Sequence, residues 1–502
     1  MVTPSGGRGW RRRRVVVPAA GVLVLAGAAV AALLLLGRPA GGLSLHPPSV
    51  RLLVGHRVTL RARLAGSAAH PRWRSSDPAI VSVTDTGLVA ARAPGTATVS
   101  ASIRGHTASA RVTGVGIHAL RLTVPGTIGY GETVTATVRE TLTDGTTPRR
   151  APFPVRVSAA AGGPLAVTGT SVLGTALGTG MLVVRGPDGP PASARVRVLP
   201  SVPTNLGTVT PGFVAHAPLA IQIDNGPTSD PHTGLQAADI VYEYATEGGI
   251  TRFTAVYWHI RPAATVGPLR SARLIDIPIE QMYQGLVVFS GASNGTYANL
   301  IHQHVPLLTD DCCGQDFFRT ANHVAPSNLF SQGRLLLGGL ASGFPSLAHQ
   351  TLAYALLAPH VDRLHPGPIR TVTIDQTPVN IPAYHYNPVS RTWQRWLNGT
   401  PQIDTSTGQP IAVRTLIVLT APWHYTNYVE DVLGNHSIYW DLNTSGPFQA
   451  FIDGLQFSGT WHRPADGGPI LYTVAGGHPL PLPTGLTWVE VVPADTPVSI
   501  SD

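Results

Sequence analysis

The sequence contains no lysine: all 35 basic residues among its 502 are arginine. Chemistry that needs a lysine amine, such as a Schiff base or a phosphate-loop lysine, is thereby excluded. Cysteine is almost as scarce. The two present, Cys312 and Cys313, are adjacent, which rules out a disulfide framework and a CxxC metal knuckle. Charge is low as well, at 12% of residues. The net charge of +8 overstates basic character, because Arg8, Arg11 to Arg14 and Arg38 sit at the N-terminus; beyond them 29 arginines face 27 acidic residues. A nearly neutral remainder carries no electrostatic footprint for nucleic acid. GxxxxGK[ST] and HExxH motifs are absent, and no GxGxxG follows a strand, so no cofactor is expected.

What the chain does have begins with one long apolar run. Val15 to Leu36 are 22 consecutive uncharged residues, which as a helix reach about 33 Å, enough to cross a bilayer core. A basic tail of residues 1–14 precedes the run and contains no acid. The positive-inside bias therefore predicts a single-pass signal anchor over 15–36, with the N-terminus cytoplasmic and the bulk of the chain outside the cell membrane. A cleaved signal peptide is the rival reading, but its apolar core is usually about 7–15 residues.

The 54 glycines and 45 prolines suit a β-rich, loop-rich chain. Residues 43–115 alternate in short runs such as Arg57-Val58-Thr59-Leu60-Arg61 and Thr96-Ala97-Thr98-Val99-Ser100-Ala101, the pattern of an antiparallel sandwich. Trp73-Arg74-Ser75-Ser76-Asp77-Pro78-Ala79-Ile80-Val81, followed by Gly87-Leu88-Val89-Ala90 and Pro94-Gly95-Thr96, resembles the bacterial immunoglobulin-like group-two domain. Trp73 then fills the space between two sheets, with Asp77-Pro78 and Gly87 in turns. Residues 118–200 alternate similarly and predict a second, Ig-like sandwich. Both modules read as spacers. From 201 onward strands mix with helices: 201–345 predicts an α/β part and 346–502 a β-rich part, together an α+β domain. Within it, Ser271 to Tyr283 has helical spacing, and Asp239 to Glu247 reads as extended.

This last region resembles the YerB-like family of bacterial envelope proteins, catalogued as a domain of unknown function. The residues that carry the resemblance are Pro218-Leu219-Ala220 with Asp224-Asn225, Ala238-Asp239-Ile240-Val241-Tyr242-Glu243, Glu247-Gly248-Gly249-Ile250-Thr251-Arg252-Phe253 and Gly267-Pro268-Leu269-Arg270-Ser271-Ala272-Arg273. Further on, Arg395-Trp396-Leu397-Asn398-Gly399 and Gly485-Leu486-Thr487-Trp488-Val489-Glu490 continue it. The resemblance implies an envelope location and nearly 300 residues of domain, with no established activity. The chain departs from the family pattern at Ser327, where that pattern has a histidine.

The conspicuous polar cluster lies inside these motifs. In a chain so poor in charge, Asp224, Asn225, Glu243, Glu247, Arg252, Arg270, Ser271 and Arg273 among glycines mark either an ion-paired structural network or a ligand site. If Asp239 to Glu247 is extended, Asp239, Glu243 and Glu247 share one face. Arg270 and Arg273 near a helix start can hold a carboxylate or phosphate. The sequence thus points to an anionic or glycan ligand of a cell-wall polymer, bound in a cleft lined by Arg252, Arg270 and Arg273 with Asp224, Glu243 and Glu247. A wall-modifying hydrolase using paired carboxyls is the enzyme alternative, and a scaffold recruiting another envelope protein is the third class.

Two weaker constellations remain. His302, His304, Asp310, Asp311, Cys312, Cys313, Asp316 and His323 are metal-capable types, but adjacent cysteines outside the cytoplasm point to a disulfide before a metal site. Gly291-Ala292-Ser293-Asn294-Gly295 fits the GxSxG nucleophile elbow, with Ser293 as the candidate, yet glycines at a strand-to-helix turn have a sufficient structural reason. Trp393, Trp396, Trp423, Tyr425, Tyr428, Tyr439, Trp440, Trp461 and Trp488 are expected to be mostly core, with any exposed members suited to stacking on sugar rings.

Overall fold

The computed structural model describes residues 42–64, 70–205, 216–349, 354–356 and 364–502, and the chain divides into two compact units, 1–114 and 115–502. The predicted anchor over 15–36 and its basic tail lie outside the described residues. Among the described residues no helix is long and apolar enough to cross a membrane.

In the first unit, Ser49–Leu53, His106–Val115, Gly95–Ile103 and Arg72–Ser75 form one sheet, its last three strands antiparallel, and Arg57–Thr59, Leu88–Ala91 and Val81–Val83 form another. Strand alternation decides what is buried: Ala97, Val99 and Ala101 point inward from Gly95–Ile103 and meet Val81, Val89 and Val112. Trp73 packs against the edge of this core. Gly87, at φ +80°, lies so close to it that a Cβ there would stand 2.7 Å from the indole.

The second unit begins with small sheets, the largest ordered Thr127–Gly129, Ala192–Leu199, Gly178–Arg185 and Arg156–Ala159. Tyr130 ties this region to the larger domain beyond it: its hydroxyl lies 2.9 Å from the Thr473 hydroxyl, and its carbonyl accepts from the Ser201 hydroxyl.

The remainder is organised by one eleven-stranded sheet. Its strands, numbered along the chain, are β1 Leu219–Asn225, β2 Ile240–Ala245, β3 Thr251–Tyr257, β4 Leu286–Phe289, β5 Leu307–Thr309, β6 Thr415–Thr420, β7 Ser445–Ile452, β8 Leu455–His462, β9 Leu471–Val474, β10 His478–Pro479 and β11 Thr487–Val492. Their spatial order is β5-β4-β1-β3-β2-β11-β6-β7-β8-β9-β10. Every residue of β1, β3 and β11 is buried, the polar Gln222, Asp224, Asn225, Arg252 and Glu490 included, because the sheet is covered on both faces. On one face Ile221, Ile223, Val241, Phe253 and Trp488 pack with Tyr384 and Trp393 of a six-stranded sheet. On the other, Ile240, Tyr242, Val256 and Val489 meet Ile279 and Met282 of helix α1, Asp276–Tyr283.

The direction of the strands positions the site. β1 runs parallel to β4, and β4 to β5; β2 runs parallel to β11, and β11 to β6; β3 is antiparallel to both β1 and β2. Six of these seven strands therefore end at the same side of the sheet, at Asn225, Ala245, Phe289, Thr309, Thr420 and Val492. Open sheets with parallel strands bind ligands outside such carboxyl ends.

Two local expectations are corrected by the structure. The helix expected over Ser271 to Tyr283 is only α1, because 268–273 spends its backbone groups along β1 and β4: Arg270 N–H donates to Gln222 O (3.0 Å), Ala272 N–H to Gly291 O (3.0 Å), and Arg270 O accepts from Ser290 N–H (3.0 Å). The Asp276 carboxylate then accepts from Arg273 N–H at 2.7 Å as the helix starts. The extended run expected over Asp239 to Glu247 stops at Ala245, since Gly248 and Gly249 take positive φ (+77° and +73°) and turn the chain. Glu247 thus leaves the row of Asp239 and Glu243.

Candidate functional site

In the β1–β3 register Asp224 stands opposite Arg252 and Asn225 opposite Thr251, so the two neighbours face opposite sides of the sheet. Each gathers its own cluster. On the Asn225 side, the amide donates to Glu243 (3.1 Å) and to Thr251 (2.6 Å), and Glu243 accepts from Arg395 (2.5 Å) and the Trp488 indole (3.2 Å). Glu490 lies directly across from Glu243 in the β2–β11 ladder and accepts from the Tyr384 hydroxyl. Glu243, Glu490 and Arg395 are wholly buried, and the guanidinium is held over the rings of Trp488 (4.8 Å) and Phe253 (5.3 Å). Burial, then Glu243, push the Glu490 pKa well above its ordinary value. This is a closed network inside the core, away from solvent.

On the Asp224 side the carboxylate accepts from the Ser327 hydroxyl (2.7 Å) and faces Arg270 Nε (3.3 Å) and Arg252 Nη2 (3.9 Å). Burial alone raises its pKa, but Arg252, Ser327 and Arg270 together outweigh burial and hold it low. Ser327 therefore acts as a hydrogen-bond donor to this carboxylate. Arg252 is buried, its pKa pushed down to about 10 by burial and by Arg273. Its Nη1 donates to Ser271 O at 3.0 Å. Arg270 remains one-third exposed.

Arg273 joins this cluster to a second one. Its Nε donates to Glu247 (2.6 Å), and its Nη1 lies 3.3 Å from Glu430. Glu430 also accepts from the Ser293 hydroxyl (2.8 Å) and the Thr296 hydroxyl (2.6 Å). Nothing in the sequence marks Glu430, which with Asp431 belongs to no motif and lies far along the chain. Ser293 caps helix α2, Asn294–His302, by accepting from Thr296 N–H at 3.1 Å. Its partners are thus a carboxylate and a backbone amide, while His323, the histidine that a Ser-Asp-His arrangement would need, bonds to Pro231 O at 3.0 Å. The GxSxG match is a helix cap.

The open space lies next to Glu247. A cavity of about 660 Å³ is bounded by the Thr246–Gly249 turn after β2, by Gln376 and Thr377, and by the hairpin of Trp423–Val429 and His436–Trp440 that follows β6. Of the predicted site residues, only Glu247 lines it. Trp423 and Tyr425 stand 40% and 61% exposed at its wall, edge to face at 5.3 Å, and Trp423 leans on buried Trp440 at 6.1 Å. Trp393, Trp461 and Trp488, by contrast, are core. Asn435 and His436 supply polar edges. Cys312 and Cys313 form a disulfide at the end of the short helix Asp310–Cys313 after β5, and among the described residues no group of three His, Cys, Asp or Glu could hold a metal ion.

These features define a β-rich multidomain chain in which an Ig-like module precedes a large mixed-sheet domain. The chain belongs to the family described as "Protein of unknown function (DUF3048)": residues 203–343 match its N-terminal domain and 371–489 its C-terminal domain. Residues 40–113 match the bacterial Ig-like domain, group 2. The chain is 28% identical over 288 residues to "Putative lipoprotein YerB" of Bacillus subtilis (strain 168), covering 57% of this chain and 83% of that protein. The crystal structure of YerB from Bacillus subtilis superposes with a TM-score of 0.50 at 24% identity, covering 59% of this chain and 97% of that one, a likeness of fold. The family's two domains are not separate bodies here: β2 of the first pairs with β11 of the second, so they share one sheet.

Proposed function

We propose that this protein is an extracytoplasmic envelope protein, held at the membrane by its N-terminal apolar segment, whose cavity at the carboxyl ends of β2, β6 and β11 binds a glycan of the cell wall. The observation that carries the reading is the pair of exposed aromatic rings, Trp423 and Tyr425, at the wall of a cavity of about 660 Å³. Large exposed aromatics beside hydroxyl, amide and imidazole groups suit a sugar, whose ring faces are apolar and whose edges are hydroxyls. The lipoprotein name of the Bacillus subtilis relative supports a place at the membrane surface. In this reading the group 2 Ig-like domain and the β-rich region 118–200, an Ig-like sandwich in our view, serve as spacers that precede an α+β binding domain in the chain.

Hydrolysis is less well supported. It calls for two carboxyls across an open pocket, whereas Glu247 alone lines this one, with Asp224 and Glu243 on opposite faces of the sheet. The test is co-sedimentation of the full chain with purified cell-wall sacculi. Trp423→Ala and Tyr425→Ala should each lower the apparent affinity about 2- to 13-fold, the range of about 0.5–1.5 kcal/mol for a lost aromatic contact. Undiminished binding by the double variant would refute the pocket assignment, and release of soluble fragments by the unaltered chain would favour the hydrolase.

A further inference from the structure

Arg270 stands apart from the other arginines of the cluster. Arg252 and Arg273 are buried and spend their guanidinium groups on Ser271 O, Ala272 O, Glu247 and Glu430. Arg270 has its Nε against Asp224 at 3.3 Å, and its terminal Nη nitrogens have no hydrogen-bond partner among the described residues. Its backbone is fixed between β1 and β4 by bonds to Gln222 O and from Ser290 N–H. An arginine with a rigid base and free terminal donors is organised in advance for a ligand.

Its neighbours are donors too. The Ser271 hydroxyl lies 3.8 Å from where a side chain on Gly291 would begin. Gly291, at φ +70°, and Ala292 lead from β4 into helix α2, and their N–H groups have no acceptor among the described residues. From inside, Arg252 backs the group with a buried Nε that also lacks a partner. Next to this spot the chain displays what such donors hold. The Glu430 carboxylate sits on the first turn of α2, between the Arg273 guanidinium and the hydroxyls of Ser293 and Thr296. One carboxylate is thus already bound by an arginine, hydroxyls and a helix N-terminus, and Arg270, Ser271, Gly291 and Ala292 repeat those donor types beside it.

The spot adjoins the cavity wall: Glu247, which lines the cavity, accepts from Arg273 Nε (2.6 Å), and Arg273 Nη1 donates to Ser271 O (3.4 Å). Gly249 lines the cavity; Ile250 follows it and comes within 3.8 Å of the Cβ position of Gly226, which is itself 3.4 Å from Asp224 Oδ1, the carboxylate that Arg270 faces. We infer that Arg270, with Ser271 and the Gly291–Ala292 backbone, forms a subsite for a carboxylate carried by the bound glycan, so that the protein selects acidic over neutral wall sugars. The inference rests on the glycan reading of the cavity.

The experiment compares three probes by calorimetry on the full chain: a neutral N-acetylglucosamine tetramer, a wall oligosaccharide bearing free carboxylates, and its methyl ester. The unaltered protein should prefer the acid to its ester by about tenfold at low salt, a preference that shrinks as salt screens the partly exposed guanidinium. Arg270→Gln should erase that preference while leaving ester affinity within about twofold, and Ser271→Ala should reduce it partly. Trp423→Ala should weaken acid and ester alike. Circular dichroism and melting temperature check that Arg270→Gln is folded, and Ser271→Ala provides the same test without touching the Asp224 ion pair. Equal affinity for acid and ester in the unaltered protein would overturn the subsite and leave the cavity assignment standing. No binding of any probe would overturn both.

Discussion

Replacing Glu490 with glutamine should change the pH dependence of stability of the second unit. Glu490 and Glu243 are wholly buried and directly opposed across the β2–β11 ladder, with the Arg395 guanidinium bonded to Glu243 and the Tyr384 hydroxyl to Glu490. Burial, then Glu243, raise the folded pKa of Glu490 well above its ordinary value, so the fold keeps a proton that the unfolded chain releases near about pH 4.3. A raised folded pKa gives stability that is fully present below the unfolded pKa and is lost as pH rises toward the folded one. The loss runs at up to about 1.4 kcal/mol per pH unit for one proton. Glutamine is neutral throughout and keeps a carbonyl oxygen for Tyr384, so Glu490→Gln should remove this contribution to the slope. Urea unfolding at several pH values above about 5, followed by tryptophan fluorescence, reads it, because Trp488 donates to Glu243 and lies over Arg395. The variant's stability should fall less steeply with pH than that of the unaltered chain. Parallel curves would refute the assignment of the proton to Glu490.

Glu430→Ala deprives Arg273 of one of its two carboxylates and the Ser293 and Thr296 hydroxyls of their acceptor. A loss of about 3–5 kcal/mol in urea unfolding is expected for breaking a buried pair, and a loss below about 1 kcal/mol would mean that the hairpin is held by its other contacts. In the first unit, Gly87→Ala places a Cβ 2.6 Å from Leu60 O and 2.7 Å from the Trp73 ring at a positive φ. Calorimetry should show a destabilisation of about 1–3 kcal/mol, and an unchanged melting temperature would contradict that crowding.

Much of the sheet was legible because its strands are locally marked. The runs Leu219-Ala220-Ile221, Phe253-Thr254-Ala255-Val256 and Gly285-Leu286-Val287-Val288-Phe289 are short and largely apolar, which marks them as strands. Pairing was not legible. That β2 lies beside β11 depends on how Glu243, Trp488 and Arg395 fit together, and nothing near Glu243 in sequence names partners so far along the chain. The polar cluster was found because charge is rare, but its division was hidden in one step of alternation: Asp224 and Asn225 look like one motif and serve opposite faces. Helix spacing over Ser271 to Tyr283 misled because backbone bonds to β1 and β4 outcompeted local helix formation at its start. The exposed pair Trp423 and Tyr425 carries no mark that separates it from buried Trp440 or Trp461, since exposure is a tertiary property.

The pairing of β2 with β11 also sets a timetable. β2 is among the first strands of the sheet to emerge during synthesis and β11 is the last, so one edge of β2 keeps unpaired N–H and C=O groups until residues 487–492 are available. Contacts of such large sequence separation form slowly. The chain is therefore committed to folding as a finished length, and an interruption of synthesis before Thr487 leaves an open strand in the centre of what should be a closed core, a species prone to pair with other chains. The final strand must therefore arrive before the middle of the sheet can close.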